Sequence, residues 1–290
     1  MPATFDVRKK LINSMDTFSK SRKRIANFIL DNFDSAPFMT AAKLANVVDT
    51  SESTVVRFAV ELGFEGYPEM AKAMQEQALH SLTAVQRLKM ANETIDRNDV
   101  LKSVLKADIS RIKETMDDID KGTFNRIVDK LLSANKIYIL GVRSSAALAM
   151  YTGFYFNLIF DNVHLLSTTS ASEIFEHLLS ASEGDVMVGI SFPRYSKRTS
   201  KAMEYMGKKG AYVVAISDSV NSPIAKWADS TLIARSDMTS FVDSLTAPLS
   251  VINALIVAAG LKRETKVMET LTSLEKIWDE YQVYEKDDQK

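Results

Sequence analysis

No cysteine occurs among the 290 residues, which excludes a disulfide scaffold and any thiolate metal site. Long hydrophobic runs are missing too. A membrane helix needs roughly 18 uninterrupted apolar residues, whereas the longest apolar region, 247–259, is broken by Ser250 and Asn253 and reads as a buried helix. Residues 1–10 lack a basic segment followed by an apolar run. No secretory signal is therefore read there, no membrane partner is expected, and a cytoplasmic location is. No sign of charge prevails either: 36 Lys and Arg face 37 Asp and Glu, a net charge of −1. The chain also lacks a G-x-x-x-x-G-K-[ST] loop, a G-x-S-x-G elbow and any His/Asp/Glu cluster at metal-ligand spacing. Nucleotide hydrolysis, elbow-type nucleophilic catalysis, a metal and a cofactor are thus not expected. No internal repeat or low-complexity block is found.

What is present is an ordinary globular composition. The hydrophobic fraction of 46% supports packed cores, and the length favours two domains. The 13 methionines are scattered and read as core filler. Charge is local rather than global. Residues 1–80 balance ten bases against ten acids, yet 8–24 hold seven of those bases and one acid, Asp16. Such a stripe can meet phosphates, or can simply be a solvated helix face.

The chain changes character along its length. Residues 1–80 read as all helix, with apolar residues near helical spacing at Ile25, Phe28, Ile29 and again at Leu44, Ala45, Val48. Residues 81–98 are polar and poorly patterned, fitting a linker or a solvated helix. Two helices are expected over 99–134, where Leu101, Val104, Leu105, Ile109, Ile112 and Met116 lie on one stripe. From 136 onward, apolar runs at 136–140, 163–166, 186–190, 212–216 and 231–233 alternate with helical stretches at 146–160, 172–181, 197–208 and 223–227. That alternation predicts a five-stranded parallel sheet flanked by helices, with ligands bound at the carboxyl ends of the strands. Helices over 246–259 and 266–281 follow.

Segment 40–62, TAAKLANVVDTSESTVVRFAVEL, has helix-turn-helix spacing. The first helix carries Leu44, Ala45 and Val48, and the turn falls at Asp49 and Thr50. Ser51 is placed to cap the second helix, which buries Val55, Phe58 and Leu62. Its other face presents Glu52, Ser53, Thr54 and Arg57, which suit a major groove. A generic helical hairpin has the same pattern. The run 51–70, SESTVVRFAVELGFEGYPEM, closely resembles the N-terminal domain of the RpiR family of bacterial regulators, whose pattern is S-x-x-T-V-x-R-F followed by L-G-F-x-G-Y. The resemblance spans about 5–80 and implies that Ser51, Ser53, Thr54 and Arg57 face double-stranded DNA. Lys43, Lys20 and Arg24 are candidate phosphate contacts. Asp49 stands where the family usually has Gly, and Asp tolerates the left-handed conformation that such a turn needs.

Two Ser-rich turns follow strands in the second part: 141–146, GVRSSA, and 191–199, SFPRYSKRT. Each leads into a helix, so backbone amides, hydroxyls and a helix dipole can converge on an anion, or the serines can merely cap. The turns resemble the sugar isomerase (SIS) domain, the sugar-phosphate-binding fold that RpiR regulators carry. Gly141 and Ser145 match its G-x-G-x-S, with Arg143 for the second Gly. Ser191, Ser196 and Thr199 match its phosphate loop, with Pro193 for a Ser and Arg194 for a Gly. Segment 170–173, SASE, and segment 218–229 resemble further stretches of these regulators, and the likeness covers about 120–265. The resemblance implies a ligand site built from Gly141, Arg143, Ser144, Ser145, Glu173, Ser191, Arg194, Ser196 and Thr199. The two arginines either add bidentate donors for an anion or close the pocket.

The reading is then a helix-turn-helix domain at 1–80, a linker at 81–98 and an SIS-like effector domain at 99–290. The resemblance implies a regulator of carbohydrate-metabolism genes, controlled by an anionic sugar derivative, a sugar phosphate above all. A homo-dimer or tetramer is expected, because one helix-turn-helix buries too little to hold an operator tightly. The alternative is an isomerase, which needs a base next to a carbonyl. Glu173 and His177 lie four apart on one helix face and are its candidates, although Glu173 has capping-box spacing to Ser170 and no catalytic residue is assigned.

Overall fold

A computed structural model describes residues 7–81, 85, 88, 95–168, 170–236 and 242–285. The chain forms two compact units, residues 1–93 and 94–290. The expected linker 81–98 falls largely outside the described residues. No described helix is long and apolar enough to cross a membrane.

The first unit is helical, with α1 (Val7–Asn13), α2 (Lys20–Asp31), α3 (Ala41–Val47), α4 (Glu52–Glu61) and α5 (Tyr67–Ser81). Its core joins Leu11, Ile25, Ile29, Leu44, Val55, Phe58, Leu62, Met70 and Met74, all essentially inaccessible to water. Thr40 caps α3 by accepting from the Lys43 amide, and Ser51 caps α4 by accepting from the Thr54 amide. Those caps fix where each helix of the α3–α4 pair begins.

The second unit opens with α6 (Val100–Asp118) and α7 (Lys121–Leu132), capped by Asp99 and Asp120. Then come β1 (Ile137–Gly141), α8 (Ser145–Ile159), β2 (Val163–Leu165), α9 (Ala171–Leu178), β3 (Val186–Ile190), α10 (Lys197–Lys208), β4 (Tyr212–Ser217), β5 (Ser230–Ile233), α11 (Thr246–Lys262) and α12 (Glu264–Glu280). The five strands are parallel, in the order β2-β1-β3-β4-β5. Strand residues alternate between two cores. Ile137, Ile139, Val188, Val214 and Ile216 pack under α7, α8 and α11, while Tyr138, Leu140, Met187, Val213 and Ala215 pack under α9 and α10.

One element differs from the sequence expectation, and one takes a direction that the sequence does not set. The helix expected at 223–227 is only a 3-10 turn, Ala225–Trp227, where Ser222 Oγ accepts from the Ala225 amide. The stripe on α6, whose direction the sequence leaves open, faces outward. Leu101 is 74% exposed and Met116 67%, and Leu105, Ile109 and Ile112 are exposed beside them. The side of α6 that packs on its own unit buries Arg111 and Thr115. Asp108 on that side accepts hydrogen bonds from Ser244 and Thr246. Polar partners at the start of α11, not apolar area, therefore decide which side of α6 is covered.

Candidate functional site

The α3–α4 pair offers one candidate surface. Asp49 has φ +50, the left-handed conformation the tight turn requires. Arg24 clamps it: its guanidinium donates to the Asp49 carboxylate at 3.2 Å and to the Asp49 carbonyl at 2.8 Å. Arg24, expected at a phosphate, is thus placed as a turn staple in the ligand-free chain. Two more bases of the stripe over 8–24 are similarly engaged. Arg22 pairs with Glu61 at 2.7 Å and Arg8 stacks over Phe33. Lys20 and Lys43 are exposed.

Along α4, Glu52, Ser53 and Arg57 are exposed and Thr54 is half-buried. Ser51 Oγ sits 3.0 Å from Ser53 Oγ and 2.8 Å from Thr54 Oγ1, besides accepting from the Thr54 amide. The three hydroxyls form one cluster at the amino end of α4, where the dipole favours an anion. Arg57 Nε donates to the Ser53 carbonyl at 3.2 Å, which holds the side chain along the helix. Two exposed residues were missed in the sequence: Val56 and Val60 on the same outer face. Their signal was position, since neither falls at the spacing of the buried Val55, Phe58 and Leu62.

The second candidate site lies at the carboxyl edge of the sheet. In the order β2-β1-β3-β4-β5, chain progression reverses between β1 and β3, and a crevice opens outside their carboxyl ends. Gly141 at the end of β1 pairs in register with Ile190 at the end of β3. The two Ser-rich turns therefore flank the same point. Gly141 is required sterically: a Cβ there would lie 2.3 Å from the Ser145 carbonyl oxygen. Arg143 holds φ +59, so it keeps the backbone shape of the glycine it replaces while carrying a guanidinium. The guanidiniums of Arg143 and Arg194 are exposed and make no hydrogen bond or ion pair among the described residues. Ser144 precedes α8 with no side-chain capping bond, and Ser145 is buried in its first turn.

In the second turn, hydroxyls are divided between structure and availability. Ser196 Oγ accepts from the Arg198 and Thr199 amides and caps α10. Ser191 Oγ accepts from the Ser196 amide, closing the loop, and Ser191 O accepts from Ser217 Oγ. Tyr195 donates to Asp218 at 2.8 Å, tying the loops after β3 and β4 together. Thr199 is fully buried, and its Oγ1 has no hydrogen-bond partner among the described residues. Glu173 is exposed at the amino end of α9 and bonds Thr168 Oγ1. The expected back-bond to the Ser170 amide is not made, because that amide already donates to Thr168 Oγ1. His177 is exposed one turn on. A cavity of about 460 Å³ opens at the opposite, amino-terminal edge of β3 and β4, lined by Lys130, Glu183, Asp185, Tyr212 and Asp229 among others. It lies away from the switch point, where parallel sheets bind ligands.

A helix-turn-helix unit followed in one chain by a parallel α/β unit with a strand-end crevice defines a two-domain DNA-binding regulator. Residues 6–80 match the helix-turn-helix domain of the rpiR family, and residues 130–258 match the SIS domain. The chain belongs to the RpiR family of regulators. It is 26% identical over 278 residues to the HTH-type transcriptional regulator HexR of Escherichia coli, covering 91% of each chain. It is 25% identical over 285 residues to an uncharacterized HTH-type transcriptional regulator of Caldanaerobacter subterraneus, covering 94% of this chain and 96% of that one. Among solved structures, it superimposes on the Vibrio vulnificus NanR protein complexed with ManNAc-6P with a TM-score of 0.59 at 20% identity, covering 95% of this chain and 99% of that one. The sugar isomerase domain of an RpiR transcription factor from Sphaerobacter thermophilus aligns with a TM-score of 0.59 at 22% identity, over 61% of this chain and 99% of that one.

Proposed function

We propose that this chain is a sequence-specific transcriptional regulator whose α/β unit senses an anionic sugar derivative, a sugar phosphate above all. The observation that carries the reading is the pair of hydroxyl-bearing turns, each opening a helix, that flank the β1/β3 switch point in a chain with an RpiR helix-turn-helix. The exposed guanidiniums of Arg143 and Arg194 favour an anion there. The NanR relative by fold was solved with ManNAc-6P, which names the ligand class to try first. DNA contacts are assigned to Ser51, Ser53, Thr54 and Arg57, with Lys20 and Lys43 on phosphates. Titration calorimetry with ManNAc-6P and a panel of sugar phosphates and sugar acids tests the ligand. One of them binds, changes affinity for a selected DNA duplex, and binds more weakly to Arg194→Ala. Equal affinity in that variant would remove Arg194 from the site.

Sensing without turnover is favoured over isomerisation by the state of the only local acid–base pair proposed. The Glu173 carboxylate is engaged by Thr168, and both Glu173 and His177 stand in water rather than against a desolvated carbonyl site. A direct assay of sugar-phosphate interconversion decides this, and turnover would reject the non-enzymatic reading. The protein is read as a cytoplasmic homo-oligomer. Support comes from the outward apolar stripe of α6, formed by Leu101, Leu105, Ile109, Ile112 and Met116. A second copy of the helix laid against it buries the stripe. Ile109→Lys lowers the mass seen by analytical ultracentrifugation if that face pairs.

A further inference from the structure

We infer that Val56 on α4 reads the 5-methyl group of a thymine, so that each half of the recognised duplex contains one thymine whose methyl contributes to binding. The inference rests on the DNA-reading role of α4. Val56 is 38% exposed and Val60 52%. Both lie on the face turned away from the core made by Val55, Phe58 and Ala59. β-branched residues are poor helix formers, and outward they gain nothing from packing. Their placement is therefore a cost within the isolated chain.

The neighbours of Val56 say what it faces. Glu52, Val56 and Val60 are four apart and form one line along α4, and Ser53 and Arg57 form the adjoining line. A carboxylate and two valines cannot contact phosphate: the first is repelled and the others have no donor. That line must instead look at base edges. Glu52, Ser53, Val56 and Arg57 together line a shallow concavity on the outer face of α4. In the major groove the one apolar group presented by any base is the thymine 5-methyl. Val56 is short, so it can touch a methyl only where the helix lies deep, which is its amino-terminal half. Arg57 is the next residue and reaches further, toward a guanine edge. Adjacent positions on a helix face put the thymine within about two base-pair steps of the base that Arg57 reads.

The experiment uses the full chain. Duplexes bound by it are selected from a random-sequence pool, and each thymine of the best duplex is then replaced by uracil, which lacks only the methyl. Burial of one methyl is worth about fourfold in affinity. Wild-type protein therefore loses about fourfold at one thymine per half-site, and that ratio does not change with salt because no charge is removed. Val56→Ala binds the thymine and uracil duplexes equally. The variant keeps the fold, since the residue is outward and Ala is the better helix former. Uniform tolerance of uracil by the wild type overturns the inference, as does the same uracil penalty in Val56→Ala. Recovery of no preferred duplex overturns the DNA-reading role itself and the inference with it. A loss that shrinks as salt rises assigns the effect to phosphates and likewise overturns the thymine contact.

Discussion

Thr199 offers a test in which one substitution should raise stability and lower ligand affinity. Its side chain is fully buried at the amino end of α10, and its Oγ1 finds no partner among the described residues. A buried hydroxyl left unsatisfied costs about 1–3 kcal/mol. Thr199→Val replaces it with a methyl of similar size. β-branching is kept, so the rotamer preference changes little. The cap is untouched, because it is the Thr199 backbone amide that donates to Ser196 Oγ. The ligand-free variant should therefore gain about 1–3 kcal/mol. At about 2–4 °C per kcal/mol for a unit of this size, its melting point rises by roughly 2–12 °C. If Oγ1 is kept unpaired for an anion, the same variant loses a hydrogen bond to a charged group, worth about 1.5–3 kcal/mol. Affinity then falls roughly 10- to 150-fold. Scanning calorimetry of the free protein and titration with ManNAc-6P, or the tightest binder of the panel, read the two effects separately. A lower melting point refutes the orphaned-hydroxyl argument. Unchanged affinity removes Thr199 from the ligand site while leaving the stability argument intact.

Arg143→Gly should stabilise the α/β unit by about 1 kcal/mol in chemical denaturation, since glycine holds φ +59 without the strain that an arginine bears there, and should weaken anion binding in calorimetry. Arg24→Ala should destabilise the first unit by about 1 kcal/mol through loss of the clamp on Asp49. A turn staple leaves the salt dependence of DNA binding unchanged, whereas a lost phosphate contact lowers its slope by about 0.9. Burial pushes the Tyr67 phenol up to about 12, from an ordinary value near 10. Because the folded value is the higher one, its contribution is complete below pH 10 and is lost as pH rises from 10 to 12. Circular dichroism across that window should show the loss in wild type and not in Tyr67→Phe. Arg235→Ala should leave ligand affinity and duplex affinity nearly intact when each is measured alone, and reduce the effect of ligand on duplex affinity.

The parts of this molecule that were legible in the sequence are those governed by local rules. Strand β3 and helix α10 begin and end where the apolar run and the Ser196 cap place them. The left-handed turn at Asp49 follows from a residue type that tolerates it. Pairing over long separations was not legible. Arg24 and Asp49 are 25 residues apart, and the charge count over 8–24 could not reveal that the arginine is already engaged. The capping box at Ser170 and Glu173 has the right spacing, yet Thr168 intercepts the amide from outside the motif. The sidedness of α6 was not legible either. Its apolar periodicity is real, but polar pairs with residues more than a hundred positions away turn that stripe outward. Periodicity reports that a stripe will be covered, and not by what.

Those same long-range pairs bear on how a ligand at the strand ends can reach the DNA-reading unit. Ser191, in the turn after β3, accepts at its carbonyl from Ser217 Oγ at the end of β4. Ser217 in turn accepts at its carbonyl from the Ala234 amide just beyond β5. The next residue, Arg235, donates its amide to Thr115 and its guanidinium to Asp118, both on α6. A continuous line of hydrogen bonds thus runs from the turn after β3 to the helix that follows residues 81–98. Continuity alone transmits nothing. A ligand moves the equilibrium only by binding one arrangement of α6 better than another, and by no more than that difference in affinity. Because Arg235 joins the loop after β5 to α6, its removal separates the two cases. If the line carries the coupling, duplex affinity stops responding to ligand while ligand still binds. If the response survives, α6 takes its position from the apolar stripe and whatever covers it.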